Sequence, residues 1–190
     1  IKIERPEGDK PAERLDARVA GDIAVTVVDS QQVTLGQGLI VSAVARLAAS
    51  GASHDDVVAL ARSLASRTKV WGALDTLENL KKGGRIGGAK ALLASALAIK
   101  PIIEVREGKV EQGGKQRTRS KALAFIVEQL IAAGAVEHLW VMNTACDDTA
   151  EFVAMLQPHF AGTIRVGDIG PVVGSHAGRG TIGVAFTTVA

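Results

Sequence analysis

The chain has no tyrosine, and aromatic residues make up only 3% of its 190 residues. Proteins that stack nucleobases need flat aromatic faces. A formal net charge of +2 is also too small to imply a polyanionic partner, so no nucleic-acid partner is expected. The single cysteine, Cys146, excludes an internal disulfide and fits a reducing compartment, which makes the cytoplasm the expected location. No spacing of Cys, His, Asp and Glu matches a zinc site. No apolar run approaches the roughly 20 residues that span a bilayer, so no integral membrane segment is expected. There is no secretory signal, and the chain begins at Ile1 without Met, as a fragment or a processed product does. A P-loop and a nucleophile elbow are also missing.

What is abundant is aliphatic. The hydrophobic fraction is 47%, carried mainly by Ala, Val, Leu and Ile. This length suffices for one well-buried domain or two small ones. Charge is unevenly spread. Lys81 to Lys121 holds 11 Lys and Arg against three Glu, whereas the remainder holds 11 basic and 17 acidic residues. That segment is either a solvated face or a surface for an acidic partner.

Along the chain, Pro11 to Ala20 reads as a short helix. Ile23 to Val28 is a continuous β-branched run of the kind found in parallel strands buried on both faces. Leu39 to Leu47 has helical spacing and closes at Ser50-Gly51. Ser53 is a good N-cap, with Asp55 and Asp56 in the first turn of the next helix. A short strand at Val70 to Leu74 and a helical turn at Asp75 to Leu80 follow. The second half offers a helix from Ala89 to Ile99 and a hairpin turning at Glu107-Gly108. A helix capped by Thr118 or Ser120 comes next, then a strand at Leu139 to Met142. Asp147 and Asp148 are placed to cap a helix that stops at Pro158. Strands at Thr163 to Val166 and Gly183 to Thr188 complete the chain. The fold class is α/β, in two units: residues 1–82, a partial parallel α/β unit short of its first strands, and residues 83–190, a strand-rich α/β unit with helices on one face.

Chemistry concentrates in Asp168 to Gly183, which holds five of the 21 glycines and His176. Glycine suits a tight turn or a close backbone approach, so this stretch is either the mouth of a binding site or a plain strand-to-strand connection. Gly178-Arg-Gly-Thr-Ile-Gly183 formally matches the dinucleotide fingerprint, but a β-type run follows where a helix N-terminus is required. His176 has three possible jobs: general base, donor to an anionic ligand, or structural histidine. Gly174 and Gly178 on either side favour ligand contact. Arg117 and Arg119, two apart, share a face if the segment is extended. With Arg85 they place guanidinium forks, which suit carboxylates and phosphates, in the basic segment.

Several separated segments converge on one family. They are Val28-Asp-Ser30, Gly36-Gln-Gly38, Thr76-Leu-Glu-Asn-Leu-Lys-Lys-Gly-Gly-Arg-Ile-Gly87, Ile99-Lys-Pro-Ile-Ile103, Gly108-Lys-Val110, Arg117-Thr-Arg119, Ile169-Gly-Pro171, Gly174-Ser-His176 and Gly178. In this order and spacing they resemble the DegV family of bacterial fatty-acid-binding proteins, from about residue 21 to residue 190. The resemblance implies two α/β domains, the second with a mixed sheet, with a long-chain fatty acid between them and no cofactor besides that ligand. It implies a carrier and not an enzyme, one that presents the carboxylate to a separate fatty acid kinase making acyl phosphate for phospholipid synthesis. His176, with Gly174 and Ser175, matches the carboxylate region. Arg85, and more loosely Arg117 and Arg119, match positions linked to kinase docking. The family's upstream Thr and Ser motifs have no match in residues 1–22, so about a third of the family domain and half of the ligand site are expected to be missing. Arg179 stands where the family usually has Pro and adds positive charge beside the carboxylate region.

Two rival readings follow from the residues. One is an acyl or phosphoryl transferase using His176 as base. The other is a non-catalytic regulatory α/β domain.

Overall fold

The computed structural model describes residues 25–94 and 99–189. The helix expected over residues 11–20 therefore lies outside the described residues. Helix α1 (Thr34–Ala49) ends at Ser50, with Gly51 beyond it at φ 86°, as the Ser-Gly pair implies. Helix α2 (His54–Arg67) is capped by Ser53, whose side chain accepts from the Asp56 amide at 3.2 Å. Strand β1 (Thr68–Ala73), the short helix α3 (Glu78–Lys82) and a 3₁₀ helix (Gly87–Ala94) follow. The second half contains β2 (Lys100–Arg106), β3 (Lys109–Gln116), α4 (Arg119–Ala132), β4 (Val136–Asn143), α5 (Thr149–Leu156), a 3₁₀ turn (Gln157–His159), β5 (Arg165–Asp168), α6 (Pro171–Ala177) and β6 (Ile182–Thr188).

The fold is mixed α/β around one six-stranded mixed sheet of order β3-β2-β1-β6-β4-β5. Only β4 and β5 run parallel; the other neighbours are antiparallel. β1 lies before the boundary expected at 82–83, yet it pairs with β2 on one side and β6 on the other. The sheet thus draws strands from both sides of that boundary. β6 is central and buried from Ile182 to Thr187, which accounts for its unbroken apolar run.

Helices cover both faces of the sheet, not one. Ala73, Ile102, Val141, Val184 and Phe186 face the inner side of α4 and α5, built from Ala122, Leu123, Ile126, Leu130, Phe152 and Leu156. On the opposite face Val70, Val105, Met142 and Ala185 meet Val33 and Leu35 at the start of α1, together with Ile169 and Val173 around α6. Alternation along each strand makes this possible: neighbouring residues such as Val141 and Met142 enter different cores.

Three sequence expectations are corrected. Of the strand expected over residues 23–28, residues 23–24 lie outside the described residues and 25–28 form no strand; a ladder needs a neighbouring strand, and none of the described strands pairs with this segment. The stretch from 87 to 94 is 3₁₀ and not α. Ile86, Ala89 and Leu92, spaced by three, are all buried, and three-residue spacing puts side chains on one line of a 3₁₀ helix. Residues 171–177 are helical and not bare loop, because Pro171 at the first helical position supplies a preset φ and lacks only an N–H that would be unpaired there.

Candidate functional site

Two segments far apart in sequence meet at one edge of the molecule. The first is α3 with its exit turn, Glu78 to Arg85. The second is α6 with the glycine loop that leads into β6. Gly83 leaves α3 in ordinary right-handed backbone, at φ −79°. What matters there is space: the His176 imidazole occupies the position that a Cβ on Gly83 would need. The reverse approach occurs at Gly178, at φ 85°, where a Cβ would run into the Asn79 side-chain amide. Each segment therefore gives up a side chain so that the other can insert a polar one.

His176 sits on the last turn of α6 and is half-buried. Among the described residues its ring makes no hydrogen bond, and neither do the side chains of Asn79, Arg179 and Arg117. Arg85 is exposed and donates from Nη1 to the Gly83 carbonyl at 2.9 Å. Arg85, Gly83 and His176 thus form one contiguous surface, with Lys81 and Lys82 exposed beside it. Ser175 is exposed, but its hydroxyl donates to the Val172 carbonyl at 2.8 Å, within its own helix. Gly174 lies inside α6, and Arg179 is exposed on the glycine loop. Asn79 was not among the expected residues. Only its position in the Thr76 to Gly87 motif, two residues before Lys81, could have drawn attention to it.

The back of the loop is tied down by a second set of groups. The Thr144 hydroxyl donates to the Gly178 carbonyl at 3.0 Å and accepts from the Thr181 amide at 2.9 Å. The Thr181 hydroxyl donates to the Ala177 carbonyl at 3.0 Å. Cys146 donates from Sγ to the Thr181 carbonyl at 3.3 Å. Arg119 grips Asp148 with two bonds, Nε to Oδ2 at 2.6 Å and Nη2 to Oδ1 at 2.9 Å, and its Nη1 donates to the Gly180 carbonyl. Asp75 lies 3.7 Å from the same guanidinium and is paired with Lys100 at 2.6 Å.

Arg117 and Arg119 therefore do not share a face. The chain changes from strand to helix between them; Arg117 is exposed, while Arg119, the first residue of α4, turns inward. Asp148 occupies the N-cap position of α5, as expected, yet its side chain makes no cap bond. A fork-to-carboxylate pair of charge-assisted bonds outcompetes a single bond to an amide. The Arg119 bonds hold the Asp148 carboxyl below the usual carboxylate range, against the opposing effect of burial. They also hold the Arg119 guanidinium above its ordinary value.

An apolar groove of about 370 Å³ lies elsewhere, between α1, α2 and residues 25–30. Val28, Ile40, Val44 and Val57 line it, and Thr26 Oγ1 meets His54 Nε2 at one end, 2.9 Å apart. None of the residues around His176 borders it. Among the described residues no cluster of His, Cys, Asp and Glu suits a metal ion, and no helix is long and apolar enough to cross a membrane.

Comparison with known proteins places these features in a family context. Residues 12–189 match the profile of a family described as "Uncharacterised protein, DegV family". A DegV domain-containing protein of Streptomyces coelicolor is 36% identical over 171 residues, covering 87% of this chain and 61% of that relative. Among solved structures, one on the fatty acid binding of a DegV family protein from Thermus thermophilus superposes with a TM-score of 0.78 at 34% identity, over 87% of this chain and 61% of that one. The fatty acid kinase B3 protein of Streptococcus pneumoniae, loaded with linoleic acid, shares the fold with a TM-score of 0.79 at 19% identity, over 89% of this chain and 62% of that one. The chain spans about 60% of the length of the curated relatives it matches.

Proposed function

The chain belongs to the DegV family, and from that premise we propose that it binds a long-chain fatty acid with the carboxylate at His176. The observation that carries this reading is the half-buried imidazole, without a hydrogen bond among the described residues and seated against the backbone of Gly83. A ring nitrogen in that setting can donate to a carboxylate without first giving up a protein partner. Asn79 and Arg179 flank it with further donors. Binding energy comes mainly from the tail, at roughly 0.8 kcal/mol per buried CH₂, so the polar groups chiefly fix which end is presented. The Thermus thermophilus relative, described as fatty acid binding, supports the ligand class.

The carrier role follows the same logic. Ser175 bonds within its own helix and no carboxylate pairs with His176 among the described residues, so the arrangement supports binding over a transferase base. Presentation to a separate fatty acid kinase for acyl-phosphate formation is supported by the exposed cations Lys81, Lys82 and Arg85 beside Gly83, and by the exposed Arg117. The cytoplasm is the setting this role requires.

The test is direct. The protein is isolated gently, extracted with organic solvent, and the extract analysed by mass spectrometry, before and after exchange with added oleate. Bound fatty acid that is lost in His176→Ala is the expected result. No bound and no exchangeable fatty acid in the parent protein overturns the reading, and turnover of acyl substrates without any partner favours the transferase instead.

A further inference from the structure

We propose that Arg119 is a positioning residue for the His176 site and not part of a docking surface; the proposal rests on the reading of that site as the ligand head-group pocket. The argument starts from where the guanidinium points. Its Nε and Nη2 are committed to the two oxygens of Asp148, and Nη1 is left to donate to the carbonyl of Gly180. Gly180 lies in the same short loop as Gly178, against which Asn79 packs, and that loop continues directly from the turn of α6 that carries His176.

The planar fork is what makes one side chain do both jobs. A lysine offers a point charge and cannot span two carboxylate oxygens while also reaching a carbonyl in a fixed third direction. Arg119 and Asp148 stand at the starts of α4 and α5, two helices packed into the main core. The glycine loop is thereby referenced to the rigid side of the sheet. Thr144 supplies the second tether, through Gly178 and Thr181. With two anchors behind it, the loop presents His176 and accepts Asn79 in one geometry. Asp75 and Lys100, on the other side of the guanidinium, complete a charged chain that keeps Arg119 from swinging toward solvent.

The experiment compares Arg119→Lys with the parent protein by two readouts. The first is the set of His176 ring resonances in side-chain NMR spectra. The second is the dissociation constant for oleate, in the parent background and in His176→Ala. The expected result is displaced or broadened His176 resonances, sheet amides that stay in place, and affinity weakened about tenfold, the scale of one lost charge-assisted bond. In the His176→Ala background the same substitution should change affinity less than about twofold, since residues acting through one another are not additive. Asp148→Asn, which leaves the bond to Gly180 possible but frees the fork, should move the His176 resonances in the same direction. Unchanged resonances in both variants overturn the proposal, as does loss of cooperative folding in both, which makes the pair a purely structural clasp. Unchanged resonances with lost binding of a partner kinase return Arg119 to a docking role. If the parent protein binds no oleate, the ring resonances still decide the positioning role, and only the reading of the ligand fails.

Discussion

A single missing methyl group shapes the candidate site. Gly83 has backbone angles that alanine adopts freely, so its importance is steric: a Cβ there takes the place of the His176 imidazole. Gly83→Ala is therefore expected to separate stability from function. Fewer unfolded-state conformations favour the folded alanine form by about 0.4–1 kcal/mol, offsetting the displacement of one half-buried ring. The melting temperature should stay close to the parent value while fatty acid binding falls. A thermal melt and an oleate titration on the same sample check this, and full retention of affinity would show that the imidazole does not contact the ligand.

At the scale of elements, the start of α5 shows how a local signal is overruled. Aspartate before a helix ordinarily caps it, and Thr118 does so for α4, accepting from the Lys121 amide at 3.3 Å. Asp148 instead turns to Arg119. Its folded pKa is depressed, chiefly by that hydrogen bond, so the carboxylate stabilises the fold at neutral pH. That contribution is present above the unfolded value of about 4 and is lost as pH falls through the lower folded value. Urea midpoints measured between pH 7 and pH 2 should therefore drop less steeply below about pH 4 in Asp148→Asn than in the parent. Equal slopes would place the acid sensitivity in other groups.

For the whole molecule, charge distribution matters more than total charge. Within the Lys81 to Lys121 segment, Arg119 and Lys100 are engaged by Asp148 and Asp75, whereas Lys81 and Arg85 are exposed beside Gly83, where His176 is seated. An acidic partner steered by the exposed set loses association rate as salt screens it. Arg85→Glu combined with Arg117→Glu should slow association with a fatty acid kinase about tenfold at low salt and leave oleate affinity unchanged. Stopped-flow association at two ionic strengths checks it, and a salt-independent rate unaffected by the substitutions would locate the partner elsewhere.

Much of this protein was legible in residue order alone, because the signals involved act over a few residues. Serine capping at Ser53, the Glu107-Gly108 hairpin with both residues at positive φ, and the inner face of α4 depend on neighbours within about one turn. The chain of motifs ending at His176 likewise identified the family. Other features belong to the tertiary structure. Arg119 finds its carboxylate 29 residues later in the chain, and only the meeting of α3 with α6 makes Gly83 and Asn79 part of a site. β1 joins both halves of the chain because antiparallel partners can come from any distance once the sheet forms. Local propensity sets which segments become helices, turns and strands. Which polar side chain meets which backbone is decided when buried apolar faces choose their partners, since that packing fixes distances no spacing along the chain encodes.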